Sequence, residues 1–347
     1  MGSEILIKKS TVTIKEVAKR AGVSPSTVSR VISNNPRISK ATTERIRAIM
    51  DEMGYYPNAI ARSLAKNMTG TIGVILPTTS EDVFLNPFFP EALRGIAKIA
   101  SKNNYDILIS TNIDKKGELK IIENFIRGSK VDGIILMSNK LDDECIEYLY
   151  NIDFPFSLIG TPNTHLENIN HVDNDNLLAT YELTKHMICI GRKRIAIIAG
   201  EENLTMTQNR IQGYKKAIEE EGLVFDTSLV FMGSFDEKTG SQYGKVIANM
   251  KDMPDGIIVA DDLVAYGALM AIEELGIKVP EDIAIASFNN SILSKYGNIP
   301  LTSVDINSVE LGSKAMELLI DAIERGVRGS RIITPFTIFK RRSTMGG

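Results

Sequence analysis

The sequence predicts an α/β protein with a small all-α head and a two-lobed body, each lobe built on a doubly wound parallel sheet. Residues 13–53 carry helix caps and helical periodicity, whereas from Thr71 onward short apolar runs alternate with helical stretches. That alternation occurs twice, and the segments 130–137 and 253–260 both contain the run Asp-Gly-Ile-Ile followed by two apolar residues. Two α/β lobes behind a helical head are the simplest interpretation.

The head begins with two short helices joined by a tight turn. Thr13 and Glu16 have the spacing of a capping box, and apolar residues follow at helical intervals. Gly22 suits the positive φ of a turn between helices. Ser24 then predicts an N-cap, with Pro25 at the first helical position, where a missing N–H costs nothing.

The second helix has an apolar inner face and a polar outer face. Val28, Val31 and Ile32 are predicted to face inward. The outer positions are Ser24, Ser26, Thr27, Ser29 and Arg30. Short polar side chains with one arginine can reach base edges and phosphates when a helix lies in the major groove. The alternative is an ordinary helical hairpin with a solvated face.

Two more helical segments follow in the head and beyond it. Ser39 predicts the cap of a third helix that runs to about Met53. A short alanine-containing helix is predicted from its N-cap Asn58 to about Asn67. An isolated helix of that length is marginal in water, so we expect it to form when DNA supports it.

The charge distribution favours a nucleic-acid partner at one end of the chain. The 347 residues have a net charge of −3, but residues 1–70 contain twelve Lys and Arg against five acids, a net of +7. The remainder therefore carries −10, so a basic head precedes an acidic body. No long apolar run and no signal-peptide pattern occurs, so we expect a cytoplasmic protein without a membrane partner.

The body is predicted as a parallel sheet in each lobe, with helices on both faces, because its strand candidates are continuous apolar runs. The strand candidates are 71–76, 105–110, 131–137 and 156–160 in the first lobe, and 194–200, 229–233, 255–261 and 282–288 in the second. The helix candidates are 90–103, 117–128, 141–150, 175–190, 207–221, 237–250 and 262–275.

Residues that follow these strands are the candidates for a ligand site, because ligands of open parallel sheets lie beyond the carboxyl ends of the strands. Their mixture of aromatic, acidic, amide and arginine side chains suits a polyhydroxylated ligand. Alternatively they cap helices and fill the core. They are Asn86–Phe89, Asp173, Arg210, Phe235, Asp261, Asp262 and the segment 288–290.

The sequence does not favour an enzyme. Phosphate-binding glycine motifs and a nucleophile elbow do not occur, and the three histidines lack zinc-binding spacing. His171 lies close to Asp173 in sequence, but loop structure is the simpler interpretation. Cys145 and Cys189 are predicted to be reduced core residues. No cofactor and no metal is expected.

The chain resembles the LacI/GalR family of bacterial repressors along its whole length. The resemblance is carried by residues 13–33 and 56–64, Asn86-Pro-Phe-Phe, Asp173-Asn174, the Asp261-Asp262-x-x-Ala-x-Gly motif and residues 300–304. It implies a head joined by a hinge to a periplasmic-binding-protein-like core, a homodimer that binds a palindromic operator in double-stranded DNA, and a small sugar effector.

The resemblance also implies the boundaries and the DNA contacts. The headpiece would be 1–57, the hinge helix and linker 58–70, and the effector-binding and dimerisation domain 71–347. The lobe next to DNA would contain 71–161 and 289–325, and the distal lobe 162–288 and 328–342. Positions matching the family's DNA contacts are Ser24, Pro25, Ser26, Thr27, Ser29, Arg30, Ser39, Thr42, Tyr55, Asn58, Ala61 and Leu64, the last as a minor-groove wedge.

Effector contacts are implied in the same way, at Phe88, Phe89, Asp173, Arg210, Phe235, Asp262 and Asn289. The residues Phe288-Asn-Asn-Ser, together with those from Pro300 to Ile306, look like maltose-operon repressors of Gram-positive bacteria. We therefore expect maltose or a maltodextrin as effector. The alternative is a catabolite-control regulator that uses a phosphorylated phosphocarrier protein as co-repressor; a plain sugar-binding protein fits the basic head less well.

Overall fold

The computed structural model describes residues 12–33, 35–55, 68–79, 83–112, 117–137 and 139–345. The chain divides into two compact units, Met1–Thr69 and Gly70–Gly347. The described part of the first unit is helical, and the second unit contains two six-stranded sheets. Both sheets are parallel except where the last strand joins the second one. The α/β class with an all-α head is therefore confirmed.

The described head contains α1 (Ile14–Ala21), α2 (Pro25–Ile32) and α3 (Lys40–Glu52). Thr13 and Glu16 form the predicted capping box, and Gly22 ends α1 at φ 66°. Both features follow from the sequence. Thr13 and Glu16 supply partners for the backbone N–H groups at the helix start, and glycine tolerates the positive φ at the helix end. The head's own apolar core consists of Val17, Ala18, Ala21, Val28, Val31, Ile46 and Met50.

The first lobe is a sheet with the strand order β11-β5-β4-β3-β1-β2. Its early elements are β1 (Thr71–Thr79), α4 (Phe88–Lys102), β2 (Asp106–Asn112), α5 (Glu118–Arg127), β3 (Gly133–Leu136), α6 (Glu144–Asn151), β4 (Phe156–Ile159) and β5 (Asn170–Asn174). Two later elements return to it, α12 (Ser308–Arg325) and β11 (Arg331–Thr334). α12 lies directly on α4, since a Cβ at Gly312 would meet the Ala92 carbonyl oxygen at 2.0 Å.

The second lobe has the strand order β12-β10-β9-β8-β6-β7. Its elements are α7 (Asn176–Cys189), β6 (Ile195–Ala199), α8 (Thr205–Glu220), β7 (Val230–Met232), α9 (Glu237–Ala248), β8 (Gly256–Val259), α10 (Asp262–Glu274), β9 (Ala284–Phe288), α11 (Ile292–Tyr296), β10 (Thr302–Asp305) and β12 (Thr337–Phe339). The central strands are buried on both faces, as the continuous apolar runs predicted.

The sheets correct the predicted lobe boundaries in three places. The strand β5 belongs to the first lobe and β10 to the second, and β11 returns to the first. The chain therefore crosses between lobes after Asn174, after Asp305 and after Thr334. Neither β5 nor β10 is among the strands predicted from the sequence, because their residues, NHVDN and TSVD, are mostly polar although they are buried.

One side chain joins all three crossings. The Asn174 amide nitrogen donates to the carbonyl oxygen of Ile306 at 3.0 Å and to the hydroxyl of Thr334 at 2.8 Å. It also lies 3.2 Å from the Thr334 carbonyl oxygen. Because these three residues stand at the three crossings, Asn174 ties together the segments that connect the lobes.

Two smaller expectations have different outcomes. Cys145 is buried as predicted, but Cys189 is exposed. Cys189 lies two positions beyond the buried Met187, which is about 200° around the helix and so on its outer side. His171 lies in the strand β5 and not in a loop. Within the described residues, no helix combines the length and the apolar character needed to cross a membrane.

Candidate functional site

The outward surface of α2 is polar and well ordered by its own hydrogen bonds. The Ser24 hydroxyl accepts from the backbone N–H of Thr27 at 3.2 Å and lies 2.7 Å from the Ser26 hydroxyl. Ser24, Pro25, Ser26 and Arg30 are exposed, whereas Thr27 and Ser29 are half-buried. The predicted outer face is therefore the face that α2 presents to solvent within the head.

A second polar group lies at the start of α3. Ser39 caps this helix by accepting from the Thr42 backbone N–H at 3.3 Å, and the two hydroxyls lie 2.8 Å apart. A helix start of this kind can bind phosphate, because its first N–H groups and the helix dipole attract anions. Tyr55 is half-buried beside the head core, and this burial raises its pKa. Asn58, Ala61 and Leu64 lie outside the described residues.

We use the word cleft for the region between the two lobes of the body where the carboxyl ends of their strands meet, and Arg210, which is 3% exposed, lies there. Its Nε donates to the Asn176 side-chain oxygen at 3.0 Å, and Nη1 donates to the Ala260 carbonyl oxygen at 2.7 Å. The guanidinium lies 3.9 Å from the centre of the Phe288 ring. Burial lowers the pKa of Arg210 to about 10, so the group stays charged at neutral pH.

Two buried carboxylates balance this charge. Asp173 accepts from the backbone and hydroxyl of Thr161, both at 2.9 Å, and from the Asn176 amide at 2.9 Å. Asp261 accepts from the Leu263 backbone N–H at 2.7 Å and so caps α10. Burial raises the pKa of Asp173, and burial together with the neighbouring Asp262 raises that of Asp261 to about 7.

Asp261 also joins the two lobes. Its Oδ2 accepts from the amide of Asn86, in the first lobe, at 3.0 Å and from that of Asn289, in the second, at 2.5 Å. The Asn86 side-chain oxygen in turn accepts from the backbone N–H of Phe88 at 2.9 Å, which fixes the start of α4. The side-chain amide of Asn86 therefore both positions Phe88 at the start of α4 and bonds to Asp261 of the second lobe.

Asp262, which is a predicted effector contact, forms its hydrogen bonds within the second lobe. Its carboxylate accepts from the hydroxyls of Ser287 at 2.5 Å and Ser303 at 2.7 Å, and from the Ser291 backbone at 2.6 Å. These donors all belong to the second lobe, whereas Asp261 bonds across to the first. The sequence does not distinguish two adjacent carboxylates that point in opposite directions.

Asn289 is held in place by hydrogen bonds within the second lobe. Asn289 and Asn290 have φ values of 93° and 48°, which asparagine tolerates better than most residues. Asn290 fixes them by donating to Asp305 at 2.9 Å and accepting from Arg341 at 2.5 Å. The outcome is that the Asn289 side chain reaches Asp261 at the edge of the cleft.

The aromatic candidates approach the cleft from both lobes. Phe88 and Phe89, at the start of α4, are half-buried and pack edge to face with ring centres 5.2 Å apart. Phe235 lies after β7, in the second lobe, and its ring covers Gly200. A Cβ at Gly200 would lie 2.1 Å from that ring, so only glycine lets Phe235 take this position.

Three polar residues that follow strands of the two lobes were not among the predicted site residues. Asn139, Thr205 and Thr207 each have a buried side-chain oxygen without a hydrogen-bond partner among the described residues. They follow the strands β3 and β6, so the rule that ligands lie beyond strand ends could have found them. Groups of three or more possible metal ligands do not occur in the described part of the chain.

The raised pKa of Asp261 predicts how the stability depends on pH. A carboxyl that titrates near 7 when folded and near 3.8 when unfolded stabilises the fold below pH 4, and this contribution is lost as the pH rises through 7. Its full size is on the order of 4 kcal/mol, at about 1.4 kcal/mol per tenfold difference in acid dissociation constant. Asp261→Asn, which retains a capping side chain, should therefore lose less stability between pH 4.5 and about pH 7.5 than the parent does.

Urea unfolding at the two pH values measures this difference. Glu274→Gln, an exposed change of the same charge on α10, serves as control and should follow the parent. If the stability of Asp261→Asn and that of the parent change equally with pH, the pKa of Asp261 is not raised in the folded protein.

Comparison with known proteins gives a consistent result for both units. Residues 13–58 match the model of bacterial regulatory proteins of the lacI family, and residues 184–344 match a periplasmic binding protein-like domain. The chain is 38% identical to the transcriptional regulator MalR of Streptococcus pneumoniae over 323 residues, covering 92% of this chain and 95% of the relative.

Other relatives are similar over almost their whole length. MalR of Staphylococcus xylosus is 35% identical, covering 96% of this chain and 98% of the relative. Catabolite control protein A of Priestia megaterium is 34% identical, covering 96% and 99%. A solved complex of the transcriptional regulator CelR with cellobiose superposes with a TM-score of 0.76 at 28% identity, covering 96% and 99%.

Proposed function

The chain is a DNA-binding transcriptional repressor of the LacI family, and on that premise we propose that a sugar in the cleft between its lobes controls its affinity for a palindromic operator. The sugar is maltose or a maltodextrin. The observation that carries the proposal is the buried arginine between the lobes, which is influenced by the carboxylates of Asp173 and Asp261 and lies over the ring of Phe288.

The chemistry of the cleft favours a carbohydrate. The rings of Phe88, Phe89 and Phe235 offer apolar faces for a pyranose, while Arg210, Asp173 and Asn289 offer fixed donors and acceptors for its hydroxyls. Asp261 takes the place that the sequence analysis gave to Asp262, because it is the carboxylate that reaches the other lobe. A relative of similar fold was solved with cellobiose, also a glucose disaccharide.

Maltose is favoured over other sugars by the relatives. The MalR regulators of two Gram-positive bacteria are 38% and 35% identical to this chain. The Phe288-Asn-Asn-Ser segment, which looks like that of maltose-operon repressors, contributes Asn289 to the cleft. Catabolite control protein A is nearly as similar, so a phosphorylated phosphocarrier protein as co-repressor is the second candidate.

The headpiece supplies the DNA end of the proposal. The exposed face of α2 carries Ser24, Pro25, Ser26 and Arg30, and Ser39 with Thr42 lies at the start of α3. In this proposal α2 lies in the major groove, where Arg30 reads a base, and the hydroxyls bind phosphates. The basic charge of the first 70 residues adds affinity that depends on salt.

A homodimer places two such headpieces on a two-fold symmetric operator. Exposed apolar side chains on α10 and α11 support this assembly: Met270 is 38% exposed, Ile292 65% and Tyr296 81%. A second copy covering these residues would bury apolar surface that water otherwise contacts.

The sugar controls DNA binding through the arrangement of the two lobes. Three crossings tied by Asn174 join them, and the Asn86 to Asp261 bond closes them at the cleft. A sugar that binds one lobe arrangement more tightly than another shifts the protein toward it, and a sugar that binds both equally changes nothing. The arrangement of the lobes then determines whether the two heads fit both half-sites.

A thermal-shift panel of sugars tests the effector. Maltose and maltotriose should raise the melting temperature by several degrees at millimolar concentration, because a ligand that binds only the folded state stabilises it. Cellobiose and lactose should have smaller effects. If only a phosphoserine-containing phosphocarrier protein stabilises the chain and increases operator binding, the catabolite-control alternative replaces the sugar-effector proposal.

A further inference from the structure

The two lobes share a feature at the start of their central strands. In each lobe the first central strand, β1 or β6, pairs in parallel with a strand that begins at an Asp-Gly pair. The pairs are Asp132-Gly133 at β3 and Asp255-Gly256 at β8. A Cβ on either glycine would lie within 3 Å of a side chain of the covering helix, Leu319 of α12 or Met187 of α7. The two aspartates therefore occupy equivalent positions in the two lobes.

Asp255 holds a loop of its own lobe. Its carboxylate accepts from the backbone N–H groups of Lys193 and Arg194, both at 2.9 Å. These residues connect α7 to β6, so the loop begins and ends in the second lobe. Hydrogen bonds to a charged acceptor are among the stronger ones, and here they fix the start of β6.

Asp132 forms the equivalent bond to the chain that arrives from the headpiece. Its Oδ2 accepts from the backbone N–H of Gly70 at 2.7 Å. Gly70 is the first residue of the body and directly precedes β1. Its φ of 69° favours glycine, and its carbonyl oxygen accepts from the Asp106 N–H at 2.8 Å. Gly70, the last residue of the predicted linker 58–70, is thus fixed through both its N–H and its carbonyl group.

A fixed linker end affects a protein that binds two half-sites with two heads. Once one head is bound, the effective concentration of the other at its half-site depends on the length and stiffness of the chain between them. Releasing Gly70 would lengthen and loosen that chain. Affinity for a whole operator would then fall, whereas the affinity of one head for one half-site would not change.

We propose that Asp132 is the anchor of the linker, and that its bond to Gly70 holds the two heads of a dimer at the spacing of the operator half-sites. Asp132 is a positioning residue, since it acts through the linker. Asp255 has no such role, because the loop that it fixes stays within the second lobe. The anchor rests on the proposed binding of a dimer to a palindromic operator, and it adds a residue of the body to the determinants of operator affinity.

Asp132→Ala in the full chain tests the anchor, by fluorescence anisotropy with a selected palindromic duplex and with a duplex of one half-site. The variant should bind the palindrome about tenfold more weakly than the parent and the half-site equally well. Asp132→Asn keeps a side-chain oxygen that can accept from the Gly70 N–H, so it should restore most of the affinity although the charge is removed. Asp132→Ser, which lacks the carboxylate, replaces the alanine variant if that one does not fold.

Asp255→Ala is the matched control, because it removes the same side chain from the equivalent position. It should lower the melting temperature, since backbone N–H groups lose their acceptor, and bind both duplexes as the parent does. The anchor would be overturned by palindrome affinity of Asp132→Ala within twofold of the parent, by an equal loss in Asp255→Ala, or by an equal loss on the half-site. If the parent itself binds the palindrome no more tightly than the half-site, the proposed dimeric binding fails, and the anchor fails with it.

Discussion

Replacing Arg210 with methionine will weaken effector binding at least about 100-fold and leave operator binding insensitive to sugar. Among the described residues, protein oxygens take two of the five N–H donors of Arg210. Donors on a charged group contribute about 1.5–3 kcal/mol each to a hydrogen bond, so losing two bonds to the sugar accounts for the effect. Methionine retains apolar contact with Phe288 and so limits the loss of packing.

The same change removes the cation that faces Asp173 and Asp261, so Arg210→Met will also be less stable at neutral pH. This loss should become smaller at about pH 5, where Asp261 is protonated. Arg210→Lys keeps the charge without the planar fork and should be intermediate in sugar affinity. Lys216→Met, an exposed change on the same helix, is the control and should bind sugar as the parent does. Full sugar affinity in Arg210→Met would contradict the placement of the effector.

Replacing Arg30 with alanine will reduce affinity for the operator about 100-fold or more and leave sugar binding unchanged. Arg30 is the exposed cation of α2. A bidentate contact between arginine and guanine discriminates by about 1–3 kcal/mol, and a dimer makes that contact twice. Fluorescence anisotropy with a selected palindromic duplex, at fixed salt, measures the loss.

Arg20→Ala is the matched control, because it removes the same charge from the same unit. Arg20 lies in the last turn of α1 and pairs with Glu52, at the end of α3, at 3.0 Å. Arg20→Ala should lower the affinity for specific and for random DNA slightly and by the same factor. Arg30→Ala should instead lower mainly the affinity for the specific duplex. Equal losses in the two variants would mean that α2 does not read the bases.

Much of the fold could be predicted from the sequence, because caps and apolar periodicity act over a few residues. The capping box at Thr13, the cap at Ser24 and the continuous apolar strands of both lobes are local features of this kind. The strands β5 and β10 could not be found in that way. They are short and polar, and they are buried only because the chain crosses between lobes next to them.

The candidate site could be predicted only in part, for a similar reason. Strand ends identify Phe88, Phe89, Asp173, Arg210 and Phe235, since the rule depends on topology alone. Which of two adjacent carboxylates bonds across the cleft depends on backbone direction at the start of α10, and sequence does not give it. Asn139, Thr205 and Thr207 become candidates only when the partners of every buried polar atom are known.

In the proposed mechanism, one chain couples a DNA-reading head to a sugar-binding cleft. This coupling is tested most directly by measuring operator affinity with and without saturating maltose, for the parent and for Arg210→Met. Maltose should change the parent's operator Kd at least about tenfold and leave that of Arg210→Met unchanged. An operator Kd that stays the same in the parent, under conditions where calorimetry shows the cleft to be full, would contradict this coupling.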